Sequence, residues 1–150
     1  MSLADILGRV RAAERVAGRP EGSVKLIAVS KVQPLERVEA VLAEGHRVFG
    51  ENYVQEAAAK WPGLRERFGP VELHMIGPLQ TNKAKTAVEL FDAIHTLDRP
   101  SLAEKLARLA EARGVELDVE RVDLAGWTWP RDRYDAVVAI FVQFADPGLR

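Results

Sequence analysis

The sequence predicts an α/β fold in which parallel strands are joined by helical crossovers. Three observations carry this. Short apolar runs of strand length recur along the chain, segments with apolar residues at helical spacing separate them, and the two kinds alternate four times before residue 114. Sequential strands separated by helices pair parallel and cross over with one hand.

The elements follow in order. Leu3, Ile6, Leu7, Val10 and Ala13 recur at helical spacing, and Gly18 and Pro20 close that helix. Val24-Lys25-Leu26-Ile27-Ala28-Val29-Ser30 reads as a first, buried strand. Pro34 suits a first helical position, Leu35, Val38, Val41 and Leu42 form an apolar stripe, and Gly45 suits the position just past the helix end. Arg47-Val48-Phe49 is a second strand, and a helix from about Asn52 to Lys60 is expected to stop before Pro62-Gly63. Leu73-His74-Met75-Ile76 is a third strand, followed by a helix from about Thr81 to Leu90 with Thr81 as its cap. Ala93-Ile94-His95-Thr96-Leu97 is a fourth. Ser101 and Glu104 have capping-box spacing, and Leu102, Leu106 and Leu109 carry a last helix to about Gly114. Beyond it, Val115 to Val122 alternates like a strand, Ala125 to Pro130 is an aromatic loop, and Tyr134 to Val142 is a strongly apolar strand.

Four strand–helix units amount to half of a closed (β/α)8 barrel, which takes about 250 residues. An open doubly wound sheet could be completed within 150 residues. Periodicity leaves both open.

Composition narrows the function classes. The chain is 47% apolar and 29% charged with a net charge of −1, which describes a folded domain with no nucleic-acid or membrane surface. It has no cysteine, so disulfides, thiolate metal sites and a cysteine nucleophile are excluded. His46, His74 and His95 lie too far apart for a local metal motif, and none is expected. Met1 to Asp5 lacks a signal-peptide start, and a cytoplasmic location is expected.

In parallel α/β folds chemistry gathers where strands end. Here the ends read Ser30-Lys31, Phe49-Gly50-Glu51-Asn52-Tyr53, Ile76-Gly77-Pro78-Leu79-Gln80-Thr81-Asn82-Lys83 and Thr96-Leu97-Asp98-Arg99. A lysine just past an apolar strand, if desolvated, becomes a nucleophile toward aldehydes. Lysines also end strands with no such role, and Lys25 shares the side-chain parity of Lys31 but sits at the strand's other end. Gly50 allows close backbone approach, while Asn52 suits either a ring contact or a helix cap. His74 and His95, inside strands, read most simply as hydrogen-bonded core residues.

Leu26-Ile27-Ala28-Val29-Ser30-Lys31, Phe49 to Glu56, His74 to Lys83 and Ile94 to Arg99, in that order and spacing, resemble four blocks of the pyridoxal 5′-phosphate (PLP) homeostasis family, related to the N-terminal domain of alanine racemase. The resemblance covers residues 1 to about 110. It implies a TIM-type PLP-binding barrel, of which these residues would form half. It implies PLP held as a Schiff base on Lys31, with Asn52, His74 and Asn82 as further cofactor-binding residues. It also implies cofactor handling with no defined turnover. Family members continue with four more strands whose serine- and glycine-rich loops cup the phosphate, and nothing here matches those loops. Weaker PLP binding than in a complete member is therefore expected.

The remaining residues, 111–150, look different. Arg113 to Leu124 and Tyr134 to Phe144 resemble the middle of class I S-adenosylmethionine-dependent methyltransferases, with Asp123 at the position near the adenine. They are expected to pack as an extra strand pair. The competing readings are a methyltransferase fragment and a fused or truncated chain without function. A half barrel would expose sheet edges, and self-association through them is expected.

Overall fold

The computed structural model describes residues 2–114, all within the first of the two units into which the chain divides, Met1–Leu117 and Asp118–Arg150. The expected strands and methyltransferase-like segments of the tail lie outside the described residues. The described elements are α1 (Leu3–Val16), β1 (Ala28–Val29), α2 (Leu35–Ala43), β2 (Val48–Glu51), α3 (Val54–Phe68), β3 (Glu72–Met75), a 3₁₀ turn (Thr81–Lys83), α4 (Ala84–Leu90), β4 (Ala93–Ile94) and α5 (Pro100–Glu111). The four strands form one sheet in the order β1-β2-β3-β4, and every pairing is parallel. A doubly wound sheet reverses its strand order partway across; this one does not, which is the winding of a barrel. No helix among the described residues is long and apolar enough to cross a membrane.

Register assigns the two faces of the sheet. Ala28 pairs with Phe49, Phe49 with Leu73, and Met75 with Ile94. These side chains meet α2 to α5 in one core built on Val38, Leu42, Ala57, Trp61, Leu64, Ala84, Ala87, Leu102 and Leu106. The opposite face carries Val29, Gly50, His74 and Ala93, which pair in turn across the sheet. All the crossover helices thus share one side, as in a barrel wall.

Local signals explain most boundaries, and tertiary packing overrides the rest. α1 opens on a capping box: Ser2 Oγ accepts the Asp5 amide at 3.1 Å, and the Asp5 carboxylate accepts the Ser2 amide at 2.8 Å. Gly45 follows α2 with φ +91°, the left-handed conformation glycine adopts without strain. Pro34 caps α2 and is not its first residue. α3 does not stop before Pro62-Gly63 but continues to Phe68. Proline in a helix interior costs about 3 kcal/mol. Against that stand the fully buried Trp61 and Leu64, where burying one large apolar side chain contributes about 1.5–3 kcal/mol. Arg65 adds hydrogen bonds of 2.9 Å to the carbonyls of Leu90 and Val71. The expected box at Ser101 and Glu104 does not form, because Arg99 is the cap and Pro100 starts α5 two residues earlier than a Ser101 cap would. Thr81 is likewise not a cap: it begins the 3₁₀ turn, after Gln80.

The first strand is the largest departure. Only Ala28 and Val29 pair, and the run is not buried, since Val24 is 39% and Val29 49% exposed. β1 and β4 are the edges of the described sheet, so β1 has a neighbour on one side only.

The segment entering β1 is tied down by Glu14, a buried residue of α1. Its carboxylate accepts from Arg11 at 2.7 Å, from the Val24 amide at 2.7 Å and from the Gly22 amide at 3.1 Å. The Arg11 guanidinium, followed by those amides, holds its pKa at about 2 against an ordinary 4.5. A depressed carboxylate contributes stability above its unfolded pKa and loses it as pH falls through its folded one. Acid should therefore loosen residues 14–24 as pH drops from 4.5 toward 2. Protection factors at Gly22 and Val24, corrected for the pH dependence of intrinsic amide exchange, should fall over that window in the native chain, whereas Glu14→Gln should show low protection there that changes little with pH.

A close approach joins the ends of β2 and β3. A Cβ on Gly77 would stand 2.6 Å from both the Cα and the carbonyl oxygen of Asn52, closer than real atoms come. Gly77→Ala should lower stability by about 1–3 kcal/mol in denaturant titration, as overpacking does, and shift the Asn52 backbone signals by NMR.

Candidate functional site

Because all four strands are parallel, their C-terminal ends share one edge of the sheet. Lys31 and Asn52 both lie two positions beyond the Val29–Gly50 pair, on neighbouring chains of the ladder. Each is half-buried. Asn52 does not cap α3; that position belongs to Tyr53, and it makes no side-chain cap. Asn52 instead lines a cavity of about 320 Å³ at the ends of β2 and β3, together with Tyr53, Gln80, Lys83 and Arg99. Arg99 is oriented there by hydrogen bonds to the carbonyl of Leu79 and to Thr81 Oγ1. Asn82 is exposed on the 3₁₀ turn, outside the lining of that cavity.

His74 lies inside β3 and is 5% exposed. It belongs to a polar chain running along the face away from the helices. Lys25 Nζ donates to Glu72 at 2.7 Å, His74 Nε2 meets Glu72 at 2.9 Å, and His74 Nδ1 meets His95 Nε2 at 2.6 Å. Every contact is satisfied with His74 donating to the carboxylate and a single proton between His74 Nδ1 and His95 Nε2. The Lys25 hydrogen bond, ahead of that from His74, lowers the Glu72 pKa, and burial followed by the charge of His74 lowers that of His95. A carboxylate kept charged and an imidazole kept neutral suit this arrangement.

The same chain separates the two lysines of like parity. Lys25 is ion-paired with Glu72, the first residue of β3, at the opposite edge of the sheet. Lys31, among the described residues, makes no hydrogen bond or ion pair.

The backbone around Lys31 is held from the helical side. Glu51, the last residue of β2, has no exposed surface. Its Oε1 receives Ser30 Oγ at 2.7 Å, Trp61 Nε1 at 3.0 Å and Lys60 Nζ at 2.7 Å. Lys60 also donates to the Ser30 carbonyl at 2.9 Å. On the other flank of Lys31, the Val32 amide donates to Glu56 Oε1 at 2.7 Å. Val32 has φ +56°, a left-handed conformation that costs a β-branched residue on the order of 1–3 kcal/mol and persists only where its surroundings enforce it.

Sequence reasoning placed Lys31 and Asn52 on one edge, where the structure has them. It did not bring His74 together with His95, and it missed Ser30, Glu51, Glu56, Lys60 and Trp61. One signal was available. Glu56 and Lys60 are four apart on a helix, a spacing that pairs opposite charges. Nothing local, however, links them to Ser30.

No protein-family model matches the chain. Individual proteins do. The chain is 45% identical over 105 residues to the pyridoxal phosphate homeostasis protein of Pasteurella multocida, covering 70% of this chain and 45% of that one. It is 39% identical over 117 residues to the protein of the same name from Escherichia coli, covering 77% and 49%. Among solved structures it is similar to PipY of Synechococcus elongatus with PLP bound, at 45% identity and a TM-score of 0.58, covering 70% of this chain and 49% of PipY. The chain therefore spans about half the length of the curated relatives it matches, and over that half it is related to the pyridoxal phosphate homeostasis proteins.

Proposed function

We propose that this chain binds PLP covalently through Lys31, as a cofactor-handling protein and not as an enzyme with a defined turnover. The observation that carries the reading is the contrast between two lysines. Lys25 and Lys31 have the same parity, yet Lys25 is spent on Glu72, while Lys31 has no partner among the described residues at the edge where strand ends gather their polar groups. The names of the relatives and the cofactor in PipY supply the ligand.

The amine nitrogen of Lys31 would attack the aldehyde carbon of PLP, a C=N bond would replace C=O, and water would leave. The described residues fit that role in part. Asn52 offers a ring or hydroxyl contact, and Gln80, Lys83 and Arg99 bring donors to the cavity that Asn52 lines; Lys31 is not in that lining. His74 and Asn82 complete the proposed set. Since both ring nitrogens of His74 are engaged, its part is to fix the polarity of the sheet face.

Mixing the chain with PLP, reducing with borohydride and mapping the adduct by mass spectrometry should place most of the label on Lys31. Lys31→Ala should abolish that label, and the absorption of the bound cofactor with it. Equal labelling of Lys25 and Lys31 would end this reading.

A further inference from the structure

We infer that Glu56, working with the buried Glu51–Lys60 pair, is a positioning residue for the Lys31 amine. The inference rests on Lys31 being the cofactor lysine and goes on to say what puts it in place. Lys31 has no side-chain partner of its own among the described residues, so its location depends on its backbone. That backbone is pinned on both sides. Before it, Ser30 is bonded through its hydroxyl to Glu51 and through its carbonyl to Lys60. After it, the Val32 amide is bonded to Glu56, and Lys60 joins the two halves by reaching Glu51 at 2.7 Å and Glu56 at 3.4 Å.

Two features show that this is more than a surface ion pair. The Glu51 carboxylate is wholly buried and its Oε2 has no partner among the described residues, where all its donors converge on the one oxygen that faces Ser30 Oγ, Trp61 and Lys60. Burying a charge in this way is costly unless the geometry is specific. Val32, moreover, holds a backbone conformation that valine avoids, and its amide is bonded to the Glu56 carboxylate. The turn is therefore held in one shape, and an amine held to within about half an ångström reacts far better than one that wanders.

The Glu56 side chain is 30% exposed, so it can be changed with little risk to the core. Three variants separate reach from charge. Glu56→Ala removes the acceptor, Glu56→Asp keeps the charge but is one methylene too short, and Glu56→Gln keeps an acceptor oxygen at full length without the charge. Two readouts are taken on the full chain: PLP trapped at Lys31 by borohydride, and acetylation of Lys31 relative to Lys25 by acetic anhydride with no PLP present. In Glu56→Ala and Glu56→Asp, trapping at Lys31 should fall about tenfold while the acetylation ratio rises, because the freed turn exposes an amine that no longer meets the cofactor correctly. Glu56→Gln should stay close to the native chain in both. If Glu56→Ala does not fold, Glu56→Asp carries the test. Unchanged acetylation and trapping in folded Glu56→Asp would overturn the inference, as would a loss in Glu56→Gln that Glu56→Asp does not share. If the native chain traps no PLP at Lys31, the reading of function fails. The acetylation ratios still decide whether Glu56 sets the place of the amine.

Discussion

The arrangement at the sheet edge depends on one buried carboxylate. Glu51 ends β2 on the helical side of the sheet, among Phe49, Trp61 and Met75, where an uncompensated charge would be untenable. Its compensation comes from three side chains on two elements: the residue after β1, and two neighbouring residues of α3. A group that must be satisfied this way constrains everything that satisfies it. α3 has to bring Lys60 and Trp61 to the end of β2, and its continuation past Pro62 then buries Leu64 and places Arg65. The end of β1 must in turn come close enough for Ser30 to donate.

The two faces of the sheet divide the labour. The helical face holds the apolar core and the buried pair, and the other face holds a polar chain from Lys25 to His95. Gly50 lies on that second face, where a Cβ would press on Ile76 and Ile27 at 2.8 and 3.0 Å. With Gly77 against Asn52, the strand ends approach more closely than side chains would permit. Both glycines sit in the segments that resemble the PLP-homeostasis blocks, which gives those segments a packing reason besides any contact with a ligand.

Much of the described fold was legible in the sequence. The number of strands, their parallel sense and the edge that collects Lys31 and Asn52 follow from apolar runs, helical spacing and the rule that strand ends carry chemistry. What could not be read is non-local in origin. The shortness of β1 reflects its edge position, which no property of Val24 to Ser30 reveals. The passage of α3 through Pro62 depends on what Trp61 and Leu64 bury against. The Glu51 cluster joins residues 30, 51, 60 and 61, and the histidine pair joins 74 and 95, so each needs the register before it can be seen. Periodicity left barrel winding open, the resemblance implied it, and the strand order, which has no reversal, agrees.

That strand order has a consequence for how the chain is assembled. Among the described residues each strand after the first lies beside the one made just before it, so each strand–helix unit can settle on a finished neighbour without waiting for distant sequence. Growth from the ribosome would then proceed like laying staves side by side, with the newest edge always ready for the next. A fold of this kind is lengthened or shortened in whole units, because adding one leaves the path of those already in place untouched.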